Sequence, residues 1–151
     1  MKKLITIALT LIALTNVANA QQSLISVSEM LQNPSTKPVT IYLRCTALLG
    51  SVSGVLEQAN YSDKDLIDNG FKAAEILMSY ATGIYQGEYY LLDKSFIEDK
   101  VVDVSLEIAE LYLHDMYSNY QTTGEYVLGT YVQEDMGICI DVYNNSLKNF
   151  S

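Results

Sequence analysis

From residue 39 to Ser151 the chain contains no proline, and its apolar residues recur at steps of three and four. That period marks helices with one apolar stripe, and the lack of proline leaves them free to run long. Ile41, Cys45, Leu48, Leu49, Val52, Val55, Leu56 and Ala59 predict a first amphipathic helix over 38–59. Ser62 can cap a second, with Asp63 and Asp65 favourably placed at its positive end, and Ile67, Phe71, Ala74, Met78, Ala81 and Tyr85 carry it to Gly87. Asp93 or Ser95 can start a third. Ile97, Val101, Val104, Ile108 and Leu111 form one stripe on it, and Val102, Leu106, Ala109, Leu113 and Met116 form an adjoining one. So wide an apolar face predicts burial by two neighbours. Thr122 stands three residues before Glu125, the spacing of a capping box, and predicts a fourth helix carrying Tyr126, Val127, Tyr131, Cys139, Val142 and Tyr143. Gly137 leaves open whether that segment is one helix or two.

Four helices with short links predict an all-α fold, an up-down bundle of about four helices over 39–151. Residues 21–38 hold both prolines and read as a lead-in segment with one helical turn around 28–32. The first twenty residues, MKKLITIALTLIALTNVANA, pair Lys2 and Lys3 with an apolar run and a small-x-small end at Ala18 and Ala20. That is the layout of a secretory signal peptide cut after Ala20. The run from Leu4 to Leu14 falls short of the ~20 residues that span a bilayer. The expected destination is the periplasm or the extracellular space.

Charge narrows the partners. Without Lys2 and Lys3, seven basic residues face 18 acidic ones, a formal charge of −11. One arginine and six scattered lysines give no basic stripe for a phosphate backbone, so nucleic acid is excluded as a partner. An anionic membrane would repel the mature chain as well. Cys45 and Cys139 are the only cysteines. Export into an oxidising compartment predicts that they pair, tying the first helix to the last and closing nearly the whole domain.

Candidate chemistry is sparse. Asp99, Asp103, Glu107 and Glu110 share a face of the third helix with His114, the only histidine, which makes a divalent-cation site conceivable on carboxylate and imidazole ligands. A di-iron bundle needs Glu-x-x-His on two helices, and here Leu111 stands three residues before His114. The same acids describe an ordinary solvated face, so no metal ligand and no cofactor is assigned. No catalytic residue is assigned either, since one histidine without a motif around it supplies no base for a nucleophile. The chain has twelve tyrosines and no tryptophan; Tyr85, Tyr89 and Tyr90 gather near one link and Tyr112, Tyr117, Tyr120, Tyr126 and Tyr131 near another, and Tyr89, Tyr90, Tyr117 and Tyr120 are candidates for a binding surface or for half-buried bundle edges. Arg44, the only arginine, lies in the most apolar helix and is expected to pair with a carboxylate at the bundle rim; an anion site is the alternative. Gly50 and Gly54, with Ala47 and Ser51, form a smooth strip on the first helix. Glycine costs a helix up to ~1 kcal/mol each, so close approach is expected there, by a neighbouring helix such as the fourth or by an external partner in the same groove.

The string YLRCTALLGSVSG, from Tyr42 to Gly54, resembles small uncharacterised secreted helical proteins of marine bacteria and their phages, in which Tyr-Leu-x-Cys-x-Ala-Leu opens the first main helix. A fainter likeness is to periplasmic immunity proteins that neutralise peptidoglycan-cleaving toxins. Those carry Gly and an aromatic after the cysteine, where this chain has Thr46, Ala47 and Leu48. Neither likeness brings catalytic residues. The reading is an acidic exported helical protein that acts by binding, foremost to another protein in the periplasm or outside the cell, as an inhibitor, immunity or accessory protein. A small-molecule or divalent-metal carrier with a site in the bundle is the alternative.

Overall fold

The computed structural model describes residues 24–148, so the signal peptide predicted over 1–20 lies outside the described residues. Five helices follow one another: α1 Val27–Gln32, α2 Pro38–Gln58, α3 Lys64–Glu88, α4 Lys94–Thr123 and α5 Tyr131–Lys148. No strand occurs among the described residues. Local chemistry sets the starts. Ser26 and Glu29 form a capping box at α1, and Pro38 opens α2 at a position where its missing N–H costs nothing. The Asp63 and Asp93 carboxylates accept backbone N–H groups at the heads of α3 and α4. Asp63 rather than Ser62 therefore caps the second long helix.

The third long helix runs further than its pattern predicts. Thr122 and Thr123 belong to the last turn of α4, where their hydroxyls bond back to the Asn119 carbonyl. Gly124 ends the helix at φ 79°, a left-handed position that favours glycine. The capping box expected from Thr122 and Glu125 is therefore not formed, and Tyr126 and Val127 lie in the link before α5. That last helix passes unbroken through Gly137.

The long helices alternate in direction, but they are not arranged as a square. α3, α4 and α5 all pack on α2, while α3 and α4 meet each other less extensively and α4 and α5 meet through side chains such as Tyr112 and Asp135 rather than backbone to backbone. Seven successive residues of α2, Leu43 to Leu49, are buried, which requires neighbours on every side. α4 runs parallel to α2: Leu43 shares a cluster with Val101, the Ser51 hydroxyl donates to the Ala109 carbonyl, and the Tyr117 hydroxyl donates to Gln58. α5 runs antiparallel to it, with Cys139 bonded to Cys45 and Ser146 donating to the Tyr42 hydroxyl. The Cys45–Cys139 disulfide, with its Cα atoms 5.1 Å apart, ties the hub to the last helix. α2 is also long and apolar enough to cross a membrane, yet most of it is buried against its own neighbours.

Close helix contact comes from α3 rather than from the strip on α2. A Cβ on Gly70 would collide with Ser53 Oγ and lie 3.4 Å from Ser53 Cβ. At Gly50 an added Cβ would make only ordinary contact with Ala74, 3.8 Å away on α3, and at Gly54 it would meet nothing within 4 Å. The expectation that the last helix packs on this strip is overturned, because α5 is held on another side of α2 by the disulfide. Gly70→Ala is expected to lower stability by about 1 kcal/mol, overpacking outweighing the gain in helix propensity. In a Ser53→Ala background the same change should be neutral or stabilising, as urea melts of the four proteins would show.

Candidate functional site

Three features stand out from the helical frame: a buried polar clamp, an exposed apolar turn and an open groove.

The clamp is built around the lone arginine. Arg44 lies on α2, one residue before Cys45, and Asp135 lies on α5, one turn before Cys139, so the disulfide brings them to the same level. They are 5% and 0% exposed, with Arg44 Nη2 3.6 Å from Asp135 Oδ2. Tyr112 of α4, also fully buried, accepts from Arg44 Nε at 3.2 Å and donates to Asp135 Oδ2 at 2.9 Å. The guanidinium carbon lies 4.9 Å from the Tyr112 ring centroid. Both charged groups also hold the lead-in segment: Arg44 Nη2 donates to the Ile25 carbonyl, and Asp135 Oδ1 accepts from the Val27 N–H, each at 2.7 Å.

Burial pushes the Asp135 carboxyl above its ordinary range, against the pull of the Val27 N–H, the Tyr112 hydroxyl and Arg44. Burial also pushes the Tyr112 hydroxyl far up, assisted by Asp135 and opposed by Arg44, so it keeps its proton and donates it. Sealed from solvent and satisfied from four directions, this cluster holds structure and offers no face to a substrate. Arg44 thus finds a carboxylate as expected, but in the interior rather than at the rim. Asp135→Ala is expected to cost about 3–5 kcal/mol, because it strands a buried charge. Adding Arg44→Met should recover part of that loss, and guanidinium melts of both variants would measure it.

The candidate tyrosines divide into two groups. At one end of the bundle Tyr120 stacks on Tyr126 at 4.3 Å and Tyr117 meets Tyr126 edge-on at 5.6 Å. Tyr117 and Tyr120, candidates for binding, therefore pack the link onto α4 while staying partly exposed. At the other end Tyr89 stacks on Tyr85, and the turn between α3 and α4 pushes Tyr90 and Leu91 outward, 78% and 83% exposed. Leu92 and Phe96 continue this surface, and a cleft of about 240 Å³ opens beside it between Tyr85, Phe96 and Val104. Around it stand the ion pairs Lys37–Glu88, Lys94–Glu98 and Lys100–Asp103. The acidic face of α4 and His114 point outward, and among the described residues no three His, Cys, Asp or Glu groups come together in a way that could hold a metal.

The groove lies over the glycine strip. α2 forms its floor with Ala47, Gly50 and Gly54; Phe71 and Met78 of α3 form one wall and Val102 and Leu106 of α4 the other, around about 880 Å³. The first half of the second stripe of α4, expected to be covered by another helix, is thus a groove wall, with Val102 39% and Leu106 59% exposed, whereas Met116 at its far end is buried in the core as expected.

Asp135 and the exposed leucines carry no sequence signal of their own. Asp135 is traceable only through the disulfide, since Cys45 and Cys139 bring their neighbours together. The chain matches no protein-family model, no curated protein and no solved structure.

Proposed function

We propose that this is an exported binding protein of the periplasm or extracellular space, of the inhibitor or accessory type, which docks another protein through the α3–α4 turn. The observation that carries the reading is the run Tyr89–Leu92: four successive large apolar residues at the end of the bundle, two of them more than three-quarters exposed. Exposed apolar surface rimmed by charged residues marks interaction sites, and tyrosine beside an open cleft is the usual composition of an interface centre. The rim here is made of paired charges, which gives a partner little net field to follow and leaves the apolar centre to supply the affinity. A disulfide that ties the hub to the last helix supports an oxidising location.

The test is capture of a partner from the exported fraction of the native host with the wild-type protein and with Leu91→Asp. Leu91 supports nothing internal, so the variant should melt within about 0.5 kcal/mol of wild type. Loss of the partner by thirtyfold or more in affinity, about 2 kcal/mol, is expected for an interface centre. A partner held equally by Leu91→Asp and Tyr90→Ala would move the interface elsewhere.

A further inference from the structure

The groove over the glycine strip is a channel of helices open on one side. Its floor runs from Thr46 to Gln58 of α2, one wall from Asp68 to Met78 of α3 and the other from Val102 to Leu113 of α4. It is therefore three helical turns long, roughly 15–18 Å. Phe71, Val102 and Leu106 keep apolar side chains exposed along it. Acidic residues border this apolar centre on both sides. On α3, Asp68 and Glu75 line the groove, with Lys72 between them. On α4 the exposed Asp99 and Glu110 lie seven residues before Leu106 and four after it, so they share its strip of the helix. Asp103 lies on the same strip but is paired with Lys100. Asp68, Glu75, Asp99 and Glu110 thus outnumber Lys72 along the mouth.

From the apolar floor and the acidic rims together we infer that the groove seats a basic amphipathic helix of another protein. Its apolar stripe lies on Gly50 and Gly54 between Phe71 and Leu106, and its lysines or arginines follow the two rims. The architecture selects a helix. Floor and walls are themselves helices, with their backbone groups already paired, so an extended peptide would bury N–H and C=O groups that nothing meets, whereas a helix satisfies its own. The floor also admits one closely, since a Cβ on Gly54 would meet nothing within 4 Å and one on Gly50 only Ala74. The sign of the rims selects a basic partner. A second copy of this chain would bring the same acidic rims and the same net negative charge, and is disfavoured for that reason. The groove shares no lining residue with the run Tyr89–Leu92, so this is a surface separate from the α3–α4 turn.

The probe is a fluorescein-labelled peptide of leucine and lysine, about 14 residues or roughly 21 Å of helix, with the leucines on one face. Two peptides serve as comparisons: the same residues in an order that scatters the leucines around the helix, and the first sequence with glutamate in place of lysine. Fluorescence anisotropy with the exported wild-type protein should show the facial lysine peptide binding about tenfold or more tighter than either, and weakening as salt screens the rims. Leu106→Asp adds a negative charge but removes an apolar wall, and should weaken binding about tenfold; Leu91→Asp makes the same chemical change at the turn and should bind as the wild type does. Gly54→Leu, which fills the floor without an internal clash, should also lose about tenfold while melting no lower than wild type. Glu75→Lys with Glu110→Lys should bind more weakly than Glu134→Lys with Asp141→Lys, a pair on α5 that changes net charge equally. The proposal is overturned if the wild type does not bind the facial lysine peptide, if the scattered or glutamate peptide binds as tightly, if Leu106→Asp or Gly54→Leu keeps wild-type affinity, if Leu91→Asp loses as much as Leu106→Asp, or if the two lysine pairs behave alike. Sedimentation that finds a wild-type dimer and a Leu106→Asp monomer would overturn it too, by assigning the groove to a second copy.

Discussion

A guanidinium buried in the most apolar helix of the chain is the constraint around which the rest is arranged. Removing a charge from water costs several kcal/mol even after relaxation, and the ion pair with Asp135 at 3.6 Å does not offset that alone. The remaining donors and acceptors must also be met. Tyr112 bridges the two charges from α4, the Ile25 carbonyl takes a second guanidinium N–H, and the Val27 N–H takes the free carboxylate oxygen. Four segments therefore converge on one point. The lead-in segment is held by the clamp as well as by Val27, Leu24 and Met30, which pack into the core. The neighbouring disulfide keeps α5 in register so that Asp135 arrives where Arg44 is.

Making α2 the hub has a geometric consequence. One helix can be surrounded by three others only if those three leave gaps, and here α3 and α4 part over the face of α2 that carries the smallest side chains. The glycines differ in what they do. Gly70 lets α3 settle against Ser53 and Leu49, a contact that any Cβ would obstruct. Gly54 faces open space, and Gly50 would place a Cβ only in ordinary contact with Ala74, so neither has an internal contact that requires the entropic cost of a helical glycine. The strip is lightly packed, with Ala74 beside Gly50 and the Ala109 carbonyl on Ser51, and this is what leaves the groove open.

The period of apolar residues carries most of the fold: α2, α3 and the beginning of α4 lie within a few residues of their pattern, and the Cys45–Cys139 pairing is expected from two cysteines in a chain whose first residues read as a signal peptide. The errors have physical causes. Thr122 and Glu125 have the spacing of a capping box, but Gly124 between them supplies a left-handed helix end, and that stop prevails over the start. Val102 and Leu106 read as core because a groove wall and a buried stripe use the same residues. Asp135 is one of 18 acids and has no local pattern; its burial follows from an arginine 91 positions away. Tyr89 and Tyr90 stand out by composition, whereas Leu91 and Leu92 pass as ordinary apolar residues until the turn exposes them.

Stability and interaction are thereby assigned to different parts of the molecule. The clamp and the disulfide join α1, α2, α5 and one residue of α4. The exposed turn joins α3 and α4, and the same two helices wall the groove over its α2 floor; each rests on the hub more than on the other. Substitutions at Tyr90, Leu91 or Gly54 touch no group that Arg44 needs, so these surfaces can change without stranding its charge. The reverse does not hold. Loss of Asp135 removes a hydrogen bond from the Val27 N–H and one from Tyr112 together and leaves Arg44 without its counter-charge, which weakens the hold of Tyr112, and hence of the middle of α4, on the hub. That position is what makes Leu106 a wall of the groove, so a defect in the clamp reaches the groove through the length of one helix.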